Sequence, residues 1–60
     1  MYEVIVYQTD GVIATPFRHA REAVTRGFVH GITSHEGCWE VVKKIEIRKD
    51  GRVWAGFEKP

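Results

Sequence analysis

Much that a chain of this size could use is absent. A single cysteine, Cys38, excludes a disulfide within the chain, and with it the disulfide-stapled plan of small secreted domains. No apolar run reaches the roughly eighteen residues of a membrane-spanning helix. Charge of one sign is also lacking. Nine Lys and Arg stand against eight Asp and Glu, a net charge of +1, whereas a dedicated non-specific nucleic-acid binder is clearly basic. The opening residues, Met1-Tyr2-Glu3-Val4, carry an acidic side chain where a secretion signal carries positive charge. These absences set the expectation of a cytoplasmic protein with no membrane partner.

What is present suits a folded chain. The composition is 43% apolar and 28% charged, too apolar for intrinsic disorder. Sixty residues make one domain, residues 1–60, whose core is marginal. A chain this short buries only about 60% of the surface it exposes when unfolded.

The strongest local signal is Asp50-Gly51 between two apolar-rich runs. It marks a β-hairpin over Cys38–Lys59 with a type I′ turn, which needs two residues that tolerate positive φ. A two-residue turn sets Lys49 opposite Arg52, Ile47 opposite Trp54, Ile45 opposite Gly56 and Lys43 opposite Glu58. Opposed residues share a face. Trp39, Val41, Ile45, Ile47 and Trp54 therefore collect on one side. Val42, Val53, Ala55 and Phe57 collect on the other, among Lys44, Glu46 and Arg48.

Upstream, Tyr2–Thr9 reads as a strand with apolar residues on both faces. Asp10-Gly11 repeats the turn signal, and Val12–Ala14 forms a short edge strand or leads into a helix. Thr15-Pro16 is a good helix start, with Thr as N-cap and Pro at the first helical position. Phe17, Ala20, Val24 and Phe28 recur at helical spacing, with Arg18, Arg21, Glu22 and Arg26 off that stripe. The helix ends at Gly27 or Gly31, and Ile32–Gly37 reads as a loop.

The expected fold is thus α+β, a β-α-β-β module. Its three-stranded antiparallel sheet has order 1-3-2, so Tyr2–Thr9 lies beside the second hairpin arm. One helix covers one sheet face, while a parallel contact of the first strand with the first arm is the alternative. Burial of each large side chain under the helix is worth roughly 1.5–3 kcal/mol.

Such a chain has no element left for the second face. That face supplies the main functional expectation: a non-enzymatic protein-interaction module, adaptor or inhibitor. It would bind a protein partner or itself, as a homodimer, through Val42, Lys44, Arg48, Val53, Ala55 and Phe57. Free-standing proteins of this size are often accessory or regulatory, phage-encoded ones among them. The alternative is a nucleic-acid-binding module using Lys44, Arg48, Arg52 and Phe57 to grip phosphates and stack bases.

Three further constellations have plainer readings. His30, His35, Glu36 and Cys38 offer metal-binding side chains, but their spacing fits no structural zinc pattern, and the expectation is no metal and no cofactor. Cys38 near His35 resembles a nucleophile and base without the oxyanion site or companion motif that catalysis requires. Trp39 and Trp54 suggest a ligand-stacking pair but fall on the face assigned to the core.

Overall fold

The computed structural model describes residues 1–59, and of Cys38 the backbone alone. Its elements are β1 (Tyr2–Gln8), β2 (Ile13–His19), α1 (Glu22–Ser34), α2 (Glu36–Glu40), β3 (Val42–Lys49) and β4 (Arg52–Glu58). The strands form one antiparallel sheet of order β2-β1-β3-β4. On one side α1 packs against β1 and β2. This is the expected small α+β architecture with one strand more than the sequence suggested. Among the described residues no helix is long and apolar enough to cross a membrane.

The extra strand is β2, which takes residues assigned above to the start of the helix. The Val12 N–H donates to Asp10 Oδ1 at 2.9 Å and the Gln8 N–H to the Val12 carbonyl at 2.8 Å. Gly11 sits at φ +92°, where a Cβ is unwelcome. That turn sends the chain straight back along β1, with Phe17 opposite Val4 and His19 opposite Tyr2. Thr15-Pro16 therefore lies inside a strand. The register slips between Val4 and Val6, so Thr15 and Pro16 together stand against Ile5. A proline is tolerated there because the bulge of an edge strand needs no donor from it. Phe17 still meets Phe28, but across elements: the rings stack at 4.3 Å and 9°.

Helix α1 begins only at Glu22 and runs through both glycines to Ser34. Thr25 and Val29 are buried, with Phe28 and Ile32 packed beside them, a stripe spaced i, i+3, i+4, i+7. That stripe continues past Gly27 and Gly31, which explains why neither glycine stops the helix. Thr25 satisfies its hydroxyl on the Arg21 carbonyl at 2.9 Å, while Val24, on the expected stripe, is largely exposed. The expected loop 32–37 is the last turn of α1 and the start of α2. The short α2 also removes Trp39 from the hairpin arm and packs it, half-buried, against the core.

Strand order differs from the expected 1-3-2. Strand β1 lies beside β3, not β4, and the contact is antiparallel. With β2 inserted, the chain reaches α1 from the far side of β1 and crosses back over it, landing β3 on β1's free edge. This sets Val4 against Ile47 and Val6 against Ile45. All four are buried, Val4 and Ile45 completely, and they are joined in the core by Tyr2, Val29 and Val42.

The second hairpin turns as expected, with Asp50 at φ +50° and Gly51 at φ +81°, and Lys49 opposite Arg52. Two residues later the register slips between Ile47 and Arg48: Arg48 faces Val53 but Ile47 faces Ala55. Trp54 is the bulged residue. It stays on the helix side, its ring edge-on to Tyr2 at 5.4 Å. Past the bulge the pairs are Ile45 with Phe57, Glu46 with Gly56 and Lys44 with Glu58, in place of Ile45 with Gly56 and Lys43 with Glu58. A slip of one residue moves every later side chain to the other face.

Candidate functional site

The bulge divides the expected interaction patch. Lys44, Arg48 and Val53 lie on the sheet face away from the helix. Phe57 and Ala55, opposite Ile45 and Ile47, lie on the helix side, and a separate slip between Tyr7 and Gln8 goes with Val42 as a core residue, 2% exposed. The nucleic-acid set divides the same way, Lys44 and Arg48 on the open face, Arg52 and Phe57 on the helix side. One signal for this was in the sequence. Val53-Trp54-Ala55 is three apolar residues in a row, which breaks the alternation a regular strand would keep.

The open face is held by charge. Glu46, 8% exposed, sits between Lys44 and Arg48 on the same strand. Arg48 reaches Glu46 Oε1 through Nε at 3.1 Å and through Nη2 at 3.1 Å. Lys44 Nζ lies 3.3 Å from Oε2, and the Tyr7 hydroxyl donates to Oε1 at 3.4 Å. Burial works against the carboxylate, but the hydrogen bonds and charges of Arg48 and Lys44 outweigh it, and Glu46 titrates below its ordinary range. Arg48 is correspondingly held charged, its pKa raised mainly by the bond to Glu46. Across β1, Glu3 stands between Arg18 of β2 and Arg48 of β3. Ion pairs thus replace the contiguous apolar surface expected there, leaving Ile13 and Val53 as exposed apolar side chains at its two margins.

The apolar surface lies instead on the helix side. Since α1 covers β1 and β2, the outer strand β4 is left partly bare beside it. A groove of about 530 Å³ opens between them, lined by Val29, His30 and Thr33 of α1, Trp39 of α2, and Phe57 with the residues after it. Phe57 is 49% exposed in this groove. Lys59 closes one end: its backbone N–H donates to the Lys43 carbonyl at 3.1 Å and its Nζ to the Trp39 carbonyl at 2.7 Å. The same ammonium lies 4.9 Å from the Trp39 ring centre, a cation–π contact that holds the indole in place. Trp39 is therefore both a core residue and a wall of the groove, a double role the sequence reading missed.

Of the residues weighed for metal binding and catalysis, His30, His35 and Glu36 are described with their side chains. The His35 backbone bridges the joint between the helices, its N–H donating to the Ile32 carbonyl and its carbonyl accepting from the Trp39 N–H. His30 lies one turn from Ser34 on α1, Nε2 3.4 Å from Oγ. The Cys38 side chain lies outside the described residues, and among those described no three His, Cys, Asp or Glu converge on a point. Compared with protein-family models, with curated proteins and with solved structures, the chain matches none.

Proposed function

We propose that the chain is a small protein-interaction module, an adaptor or inhibitor, that takes an extended segment of a protein partner along the free edge of β4. The observation that carries this reading is Phe57, half-exposed in an aromatic-walled groove on a strand with a neighbour on one side only. An added strand bonds its backbone to such an edge and places alternate side chains into the adjoining pocket. The other sheet edge, β2, is blunted by Pro16 and its bulge, a common way to discourage pairing. Edge β4 has no proline.

A second copy is the first partner to test. Strand β4 begins with Arg52 and ends with Glu58, so two copies paired antiparallel lay the cation of one near the carboxylate of the other. Association of that kind extends the sheet and buries both copies of Phe57. Light scattering over a roughly hundredfold concentration range should report a dimer. Phe57→Ala should shift it to monomer with an unchanged circular dichroism spectrum, and Lys44→Ala should leave it dimeric. A wild-type protein that stays monomeric removes self-pairing. Association that survives Phe57→Ala and follows Lys44 or Arg48 instead refutes the groove and returns the interface to the open face.

A further inference from the structure

The near-neutral net charge conceals a polar molecule. Every arginine in the chain, Arg18, Arg21, Arg26, Arg48 and Arg52, gathers with Lys49 at one end. The topology brings them there. This end holds the last residues of β2, the first of α1 and both arms of the β3–β4 turn, with Tyr2 opposite both His19 and Lys49. The remaining lysines, Lys43, Lys44 and Lys59, lie toward the other end with Asp10, Glu36, Glu40 and Glu58. With Glu46, which holds Arg48, counted there, the arginine end carries six cations against Glu3, Glu22, Glu46 and Asp50, or +2, and the other end −1.

Of the four acidic groups at the arginine end, Asp50, Glu22 and Glu46 are already engaged. Glu3 stands between Arg18 and Arg48 in register, Asp50 is 2.9 Å from the Met1 amino group, and Glu22 is 3.6 Å from Arg26. Among the described residues, Arg21, Lys49 and Arg52 form no ion pair within 4.0 Å. Two cations rest on aromatic rings: the Arg26 guanidinium 4.9 Å from the Trp54 ring centre and Lys49 Nζ 5.7 Å from that of Tyr2. Lys49, Arg52 and Trp54 line a shallow cleft of about 490 Å³ with Asp50. Like charges set side by side across a strand pair repel, and an anionic ligand removes that repulsion.

We infer that this end binds the phosphate backbone of a nucleic-acid strand without reading its bases. Guanidinium forks match phosphate oxygens bidentately. The cations also stand on both faces of the sheet, Arg18 and Arg48 on one, Lys49 and Arg52 on the other, so they suit successive phosphates of an extended polyanion better than a single phosphate group. Trp54, half-buried, carries Arg26 over its ring and meets Tyr2 edge-on, and so props the cations. Apart from Arg52, which also begins the β4 edge, the surface is separate from the Phe57 groove and stands whether or not that groove binds protein.

Fluorescence anisotropy with a fluorescein-labelled oligothymidylate tests this directly, with salt as the second variable. The wild-type protein should bind at low salt and lose affinity steeply as salt rises. Arg52→Ala and Arg21→Ala, both at exposed positions, should each weaken binding roughly three- to tenfold and lower the logarithmic salt slope by about 1. Lys43→Ala at the opposite end should change affinity less than about twofold, and Phe57→Ala should leave it unchanged. Absence of binding at low salt overturns the inference, as does an equal loss for Lys43→Ala and Arg52→Ala. Binding to vesicles of anionic lipid without binding to the oligonucleotide also overturns it, in favour of a membrane surface.

Discussion

The continuity of α1 through two glycines gives a prediction with opposite signs under the two readings of the helix. Gly27 and Gly31 are both helical and exposed, and a Cβ built at either meets no atom within 4 Å. Neither has positive φ. Alanine at each position should therefore add helix propensity without a clash, worth about 0.5–1 kcal/mol apiece. The two sites stand one helical turn apart, close enough to couple, so the double variant's gain of about 1–2 kcal/mol includes any contact between the new methyls. Against a total stability of about 3–9 kcal/mol for a domain this small, that is a large fraction. The melting temperature should rise by roughly 4–8 °C per kcal/mol. The assay is thermal and urea unfolding followed by circular dichroism at 222 nm, with the urea slope unchanged if the folded and unfolded states keep their exposure. If the helix stopped at Gly27 or Gly31 in a left-handed cap, alanine there would destabilise by about 1 kcal/mol instead. A fall in melting temperature for either single variant refutes the continuous helix.

Gly51 should behave the other way. Its φ of +81° is disfavoured for any residue with a Cβ, so Gly51→Ala should cost about 1–2 kcal/mol in the same unfolding assay, and a neutral result would mean that the turn is not type I′. The pH dependence should expose Glu46. Its pKa is lower in the folded chain than in the unfolded one, because Arg48 and Lys44 outweigh the opposing effect of burial. The stability this contributes is complete above the ordinary carboxylate range and is lost as pH falls through the lowered folded value. Urea midpoints should thus drop on acidification into that range, and Glu46→Gln should flatten the drop; equal slopes in the two proteins would contradict the network.

How far the fold was legible follows from where its determinants sit. The Asp50-Gly51 turn was readable because its requirement is local, a pair of residues that accept positive φ. The identity of Ile45 and Ile47 as core was readable from alternation within β3. Val12–Ala14 was legible as one of two readings, an edge strand, but residues 15–19 were not, since Thr15-Pro16 satisfies the rules for a helix N-terminus as well as those for a bulged edge strand. What decides between them is Val4, which supplies a partner for Phe17 only after β1 and β2 pair. The bulge at Trp54 is likewise a tertiary event: it keeps the indole on Tyr2, and the next residues change face to follow. The candidate site inherited that error, since moving Phe57 across the sheet moves the apolar surface with it.

The pairing of β1 with β3 concentrates the long-range structure of this protein in one seam. Each hairpin closes through a turn of a few residues, and each central strand can find its outer partner without the rest of the chain. Only the junction of Val4 and Val6 with Ile47 and Ile45 must bring together segments some forty residues apart, and a single large loop closure is the entropic toll of the whole topology. Amides along β1 and β3 should accordingly exchange with solvent only when the molecule opens globally, while the outer strands exchange through smaller local openings. The edge proposed to receive a partner is thus the part of the sheet that can adjust without dissolving the rest.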